Sequence, residues 1–435
     1  MSRRAFVIVD LDERWLPLQH AVRERDLAIV SIQSQWRREA NAVWKDVADA
    51  EFVVQDAASA PEFAKIFKAL DAKDGVAGIL TDQDEVLAPV AEAARAAGIQ
   101  FTDPDAVAIC RDKLQFRQYI VDARTSPRFC WLAASAGLGE AVGKIGYPCV
   151  VKPARGSGSR ICYPLYSDNH ARWYEEELAS LIPRLPRHMH WLLEGGLICE
   201  EWLEGPVVST AVAATGYQVG AVSCAIHLKH TENPCTGFGS VSFDPAMGGM
   251  IGRCTEMAER LVRDLGLRLG FFDVEMVLTE RGPKALEINA RPMGGEMITA
   301  FAMRTRTDAY GFLVDLYCGR PVSIPLPLTG FETGIFKIVA KNDGNLSEAL
   351  DLELIRGLLP VGALLRSYRL RPRATVSTLE VLGRVLVAGA AVPEQLAVLD
   401  NRMIDIGDMI GLELVRAAPS IATQLAPLGI GLQQP

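Results

Sequence analysis

"KALEINARPMGG", residues 284–295, sets Glu287, Asn289 and Arg291 on alternating positions of an apolar stretch. Upstream, "FFDVEMVLTERGP" (271–283) carries a second glutamate, Glu275, and ends in the turn-forming Arg281-Gly282-Pro283. A β-hairpin centred on Arg281 sets Glu275 directly opposite Glu287. Strand alternation then puts Asn289 and Arg291 on the face of Glu287, with Leu286 and Ile288 pointing the other way. Like charges directly across a sheet repel, so the arrangement makes sense with a divalent cation between them. Two carboxylates and a carboxamide oxygen are hard ligands, the kind magnesium takes while it keeps waters and binds nucleotide phosphates. Solvated surface glutamates are the alternative; the apolar flanks and the extended polar face weigh against them.

Phosphates call for cations and backbone donors. Lys152 ends the run "CVVK" and is followed by "PARGSGSR", in which Gly156, Ser157, Gly158 and Ser159 make a hairpin loop. Its glycines permit the close backbone approach that lets N–H groups cradle oxyanions. GxxxxGK[ST] is absent, so this is not a Walker A loop. A second lysine, Lys113 in "CRDKLQF", falls on a helical pattern. Taken singly, the loop reads as an ordinary turn and Lys113 as a solvated helix lysine.

Around these motifs the chain alternates its patterns. "AFVIVD", "LAIVSI", "EFVVQD" and "GVAGIL" read as strands, each followed by helix-like sequence, the last ending at Gly98. Such alternation predicts an α/β domain with a parallel sheet covered on both faces, spanning residues 1–113. No GxGxxG follows the first strand, so the dinucleotide fingerprint is missing. Residues 114–205 hold the glycine-rich loop and a helix broken near Pro183 and Pro186, and residues 206–330 hold a strand-rich body with the metal hairpin. "GIFKIVA", "ALLRSYRL" and "RVLVAGA" predict strands of a small subdomain over 331–435.

Composition narrows the function. With 45 basic and 53 acidic residues, net −8, there is no electrostatic reason to expect nucleic acid. No stretch approaches the ~18 apolar residues of a membrane span, and the apolar run after "MSRR" is too short for a signal peptide. Nine scattered cysteines without CxxC predict buried thiols in a reducing cytoplasm rather than disulfides or zinc. "HMH" at 188–190, among prolines and arginine, predicts a surface turn rather than a metal site.

Together these parts resemble the ATP-grasp superfamily, in particular its carboxylate–amine ligases such as L-amino acid ligases and dapdiamide-synthase-like enzymes. The resemblance covers nearly the whole chain and rests most on E-x11-E-x-N-x-R, here Glu275, Glu287, Asn289 and Arg291, then on the lysine before the glycine-rich loop and on "CEEWLEG" (199–205). It implies an α+β ATP-grasp fold with an N-terminal parallel-sheet domain, a central lid, a catalytic body and a small final subdomain. It implies ATP as cofactor, with two magnesium ions (manganese as a substitute) on Glu275, Glu287 and Asn289. Lys113 and Lys152 would neutralise phosphate charge, residues 156–159 would fold over the triphosphate, and the hinge Glu200, Glu201 and Leu203 would meet adenine largely through the backbone. The family's acidic ribose ligand is replaced by Val207, which leaves Glu204 as the candidate for the ribose hydroxyls.

The chemistry so implied is transfer of the γ-phosphoryl group to a small carboxylate and attack of an amine on the acyl phosphate, giving an amide, ADP and phosphate. Arg291 and Lys152 would be the catalytic cations, Arg291 stabilising the acyl phosphate and its tetrahedral successor. By analogy His227, Glu232, Glu296 and Arg304 would read the substrates; ordinary structural roles are equally open for each. The partners expected are a small carboxylate and an amine, with no nucleic acid or membrane and with a homodimer left open. Two other readings remain: activation of a carboxylate for a thiol or carrier protein, and a catalytically idle nucleotide-binding module. Biotin carboxylase shares the superfamily site, but its longer glycine-rich loop and the charged residues after its hinge are not seen here.

Overall fold

A computed structural model describes residues 3–425 except 39–40, 121–123, 134–136, 157, 160, 186, 230–234, 236, 247, 295, 327, 329 and 418, and the side chains of 187 and 188. Ser157 and Glu232, both singled out above, lie outside the described residues.

The first four strands, β1 (Ala5–Val9), β2 (Ala28–Ser34), β3 (Ala50–Val54) and β4 (Val76–Leu80), form a parallel sheet in the order β3-β2-β1-β4. The central β1 and its neighbour β4, AFVIV and VAGIL, are too apolar to leave one face in water, and both faces are covered. Val7, Val9 and Ile79 pack on Phe63, Phe67 and Val90 of two helices. Phe6 and Ile8 pack on Leu18, Phe301 and Phe312, on the side of the large sheet described below.

A second, antiparallel sheet holds β5 (Phe129–Leu132), β6 (Cys149–Pro153), β7 (Tyr163–Leu165) and β8 (Leu197–Glu201), ordered β5-β8-β6-β7. Its core of Leu138, Val142, Tyr174 and Leu178 comes from the helices Leu138–Ile145 and Asp168–Leu181. The chain leaves this sheet through Gly205, at φ +139, where a Cβ would lie 2.1 Å from the Leu278 carbonyl oxygen. Only glycine fits that crossing.

The third sheet has eight strands. It takes β9 (Val207–Thr215), β10 (Val219–Lys229), β11 (Gly237–Phe243), β12 (Leu269–Thr279), β13 (Gly282–Asn289) and β14 (Glu332–Val339), together with β16 (Leu364–Arg366) and β18 (Val381–Gly389). The order is β13-β12-β9-β10-β11-β14-β18-β16, antiparallel throughout, while β15 (Gly344–Asn345) and β17 (Thr375–Val376) make a small separate ribbon. The predicted division at residue 330 therefore does not separate two sheets, because β14, β18 and β16 extend the one that carries the hairpin. The reason is core formation: Ile338, Val385 and Val387 share one apolar cluster with Val212, Val274 and the helices Gly249–Asp264 and Val392–Ile410. Among the described residues no helix is long and apolar enough to cross a membrane.

Candidate active site at the metal hairpin

The hairpin pairs Glu275 with Glu287 and Asp273 with Asn289. The turn, however, is not centred on Arg281. Thr279 pairs with Gly282, so Glu280 and Arg281 make a two-residue turn, and a bulge at Leu286 then restores the register that sets the two glutamates opposite each other. The bulge also changes the fate of Leu286. It borders the pocket instead of joining Ala285 and Ile288 in the core.

Asp273, two residues before Glu275, joins the same face. Asn289 Nδ2 lies 3.3 Å from both Asp273 Oδ2 and Glu275 Oε1. Burial, then the charges of Glu287 and Asp273, push the Glu275 carboxyl up to about 8. Burial also lifts Asp273, to about 6. Glu287 is held below the usual range: burial opposes this, but Lys113 and Lys152 outweigh it. Lys113 Nζ, 2.7 Å from Glu287 Oε2, offsets part of the charge on the crowded carboxylates. The donor set still fits a divalent ion: three acids share one face, and Asp273 Oδ1 has no hydrogen-bond partner among the described residues. No cluster of three or more His, Cys, Asp or Glu side chains is preformed around a single point among those residues.

Lys113 starts the helix Lys113–Tyr119 because Asp112 caps it, accepting from the Leu114 and Gln115 amides at 3.0 and 3.3 Å. Lys113 Nζ also donates to the Gly156 carbonyl at 2.9 Å, tying it to the glycine-rich loop. Gly158 takes φ +66, and Ser159 and Ile161 follow at +56 and +60, so the loop doubles back through left-handed conformations. Lys152 Nζ is 2.8 Å from Glu200 Oε2, and Arg117 Nε is 2.6 Å from Glu200 Oε1. Despite complete burial, those two cations hold Glu200 down at about 2. Arg117 Nη2 also donates to the Leu286 carbonyl at 2.9 Å, which satisfies the bulge. Glu201 accepts from Lys284 Nζ and Arg128 Nε, both at 2.8 Å, and so links the lid sheet to the hairpin. Lys113, Lys152, Glu200, Leu203, Glu275 and Glu287 line one pocket. Glu204 is exposed and is not among its lining residues; Val207 and Lys229 are.

Residues 110–295 match the model of a family described as an ATP-grasp domain. This segment is an ATP-grasp domain. The chain is 24% identical over 290 residues to the uncharacterized protein y4rH of Sinorhizobium fredii, a match that covers 66% of this chain and 57% of that protein. Among solved structures, an L-amino acid ligase from Bacillus licheniformis superposes with a TM-score of 0.71 at 15% identity, covering 96% of this chain and 100% of that one. Carboxyaminoimidazole ribonucleotide synthase from Aspergillus clavatus, complexed with ATP, gives 0.70 at 14% identity, covering 94% and 99%. The biotin carboxylase domain of Hydrogenobacter thermophilus 2-oxoglutarate carboxylase, complexed with MgADP, gives 0.67 at 14%, covering 99% and 95%. These likenesses establish a shared fold.

Within the ATP-grasp domain and its surroundings the remaining predicted residues part company. Arg291 reaches the hairpin face, but its fork is taken by Asp84 of the N-terminal domain, Nε–Oδ1 2.9 Å and Nη2–Oδ2 2.6 Å. His227 joins the acidic face through Ser209, whose Oγ is 2.6 Å from His227 Nε2, and Ser209 pairs with Glu275. Burial, with Lys337 and Lys229 nearby, lowers His227 to about 4 and keeps it neutral. Glu296 is buried and bound by the Tyr368 hydroxyl and by Arg366 Nε at 3.4 Å, so it faces the C-terminal strands and not the metal hairpin. Arg304 is buried against Ser223 Oγ at 3.3 Å, with Asp244 and Glu332 nearby, and burial lowers it to about 10. Its Nε and Nη2 have no hydrogen-bond partner among the described residues.

Other polar residues of this face were missed. Lys337, Arg384 and Arg366 lie in register on β14, β18 and β16 and form a basic row. Burial and Arg384 lower Lys337 to about 8, with Glu275 acting against them. Asp273 was detectable, since it sits one strand period before Glu275. Asp84 and the basic row carry no local signal.

Proposed function

We propose that the protein is an ATP-dependent ligase that activates a small carboxylate, an amino acid or its derivative, as an acyl phosphate and joins it to an amine. The observation that carries this reading is the single pocket in which Glu275 faces Glu287 while Lys113 and Lys152 point in from the lid side. Neither an apolar ligand nor a plain structural hairpin calls for that set. The ATP-complexed and MgADP-complexed proteins that share the fold support it.

In this reading Glu275, Glu287 and Asn289, joined by Asp273, hold magnesium, which when bound neutralises phosphate charge. Lys113 exchanges Glu287 for a phosphate oxygen, and Lys152 meets a second one while its ion pair with Glu200 keeps it extended. Gly156 and Ser159 bring backbone donors over the triphosphate. The basic row of Lys337 and Arg384 seats the carboxylate substrate. Arg291, once released from Asp84, stabilises charge on the acyl phosphate; while the pair holds, it fixes the N-terminal domain against the site. Enclosure by the glycine-rich loop protects the acyl phosphate from water.

The test is to mix the purified protein with ATP, magnesium and a panel of amino acids, then to assay phosphate and product mass. Phosphate release that needs both a carboxylate and an amine supports amide ligation. Release that answers to a thiol or carrier protein replaces it with the transfer reading, and no release with any partner leaves a nucleotide-binding module.

A further inference from the structure

We infer that Cys162 and Cys235 form an oxidation site, a thiol pair that a hydroperoxide converts to a disulfide across the mouth of the nucleotide pocket. The disulfide itself does not depend on the proposed reaction, whereas its effect on nucleotide binding rests on that reading.

The two residues come from different parts of the molecule. Cys162 immediately precedes β7 at the end of the glycine-rich loop, and Cys235 lies just before β11 of the large sheet. Their side chains are hydrogen-bonded to one another, and both line the pocket that holds Lys113, Lys152, Glu275 and Glu287. A second contact fixes the approach: Ser159 Oγ donates to the Cys235 carbonyl at 2.7 Å. Both cysteines are only partly buried. The Cys149 and Cys199 pair, also hydrogen-bonded, is 0% exposed within the lid sheet, out of an oxidant's reach.

The surroundings favour a thiolate on one partner. The hydrogen bond from Cys162 lowers Cys235, burial opposes this, and Lys152 and Lys229 add to the lowering. Thiolate character beside cations, together with access, is what makes a cysteine react with peroxides. The Cys235 thiolate attacks the O–O bond; an S–O bond forms, the O–O bond breaks, and alkoxide or hydroxide leaves. Cys162 then attacks the sulfenic sulfur. The S–S bond forms, the S–O bond breaks, and the Cys162 proton leaves with the hydroxide as water. The two sulfurs together give up two electrons to the peroxide. Disulfide formation brings the two sulfurs to about 2.05 Å.

The bond would tie the glycine-rich loop to the body over the place of the triphosphate, so nucleotide could neither enter nor leave freely. Reduced, full-length protein is treated with hydrogen peroxide, alkylated and digested without reductant, and binding of a fluorescent ATP analogue is measured before and after. A Cys162–Cys235 linked peptide is expected, with binding weakened by about tenfold or more and restored by dithiothreitol. Cys162→Ser and Cys235→Ser should each remove the linked peptide, and the ratio of oxidised to reduced binding in each variant should stay near one. Absence of the linked peptide overturns the site; a linked peptide with unchanged binding overturns its effect. Failure of the reduced protein to bind the analogue would refute the nucleotide reading, while the peptide map alone still decides the crosslink.

Discussion

Lys113 Nζ stands 2.7 Å from Glu287 Oε2, so a cation from the lid side already occupies a carboxylate of the metal hairpin. The pair couples the helix Lys113–Tyr119 to the hairpin strand that carries Glu287. Replacing Glu287 with Ala removes a metal ligand and leaves Lys113 near-buried without its carboxylate. Turnover is expected to fall by at least about a hundredfold, while circular dichroism and the unfolding midpoint show a folded protein. Near-native turnover in this variant would refute the metal assignment.

Arg117 supports the site from beneath, holding both Glu200 and the bulge carbonyl of Leu286. Arg117→Met keeps apolar volume but strips a fully buried glutamate of one partner. Breaking such a buried pair costs roughly 3–5 kcal/mol. Urea unfolding should register that loss, and a change under about 1 kcal/mol would mean that Lys152 alone suffices for Glu200.

Glu200 also gives the fold an acid-sensitive contribution. Its folded value, about 2, lies below the ordinary 4.5. The stabilisation is therefore complete above pH 4.5 and is lost as pH falls through about 2. The shift corresponds to about 3 kcal/mol. The stability gap between wild type and Glu200→Gln should be widest near pH 6 and shrink steadily below pH 4.5. A gap that does not vary with pH would show that packing, and not charge, sets it.

Arg291 and Asp84 can be separated by a double-mutant cycle. Asp84→Asn leaves the hairpin arginine without its bidentate partner. If Arg291 acts on the reacting phosphate, Arg291→Lys lowers kcat by about tenfold or more, and Asp84→Asn mainly reduces stability. Equal losses of stability with kcat intact in both variants would confine Arg291 to joining the domains.

Local spacing carried much of this molecule into view. The period-two pattern from Glu287 to Arg291 needs no distant information, and the pairing of Glu275 with Glu287 follows from a count around the turn. That count contains two offsets that cancel: the turn sits half a residue earlier than the expected centre at Arg281, and the bulge at Leu286 makes up the difference. The alternating strands of the N-terminal domain were legible for the same local reason. Partners across the fold were not. Asp84 is 207 residues from Arg291, and no side-chain pattern near either announces the other. Glu296 and Arg304 follow the hairpin closely in sequence, yet the helix that bears them directs Glu296 to Tyr368 and Arg366, in the basic row, and Arg304 to Ser223.

The strands contributed by the last part of the chain have a practical consequence. A fragment ending near Leu328 would retain Lys113, Lys152, Asp273, Glu275, Glu287 and Asn289. It would also strip β11 of its neighbour β14, baring a row of peptide groups ready to recruit a foreign strand. Such a fragment should aggregate, and it would lack Lys337 and Arg384 as well, so expression trials and domain dissections need to treat the sheet as indivisible.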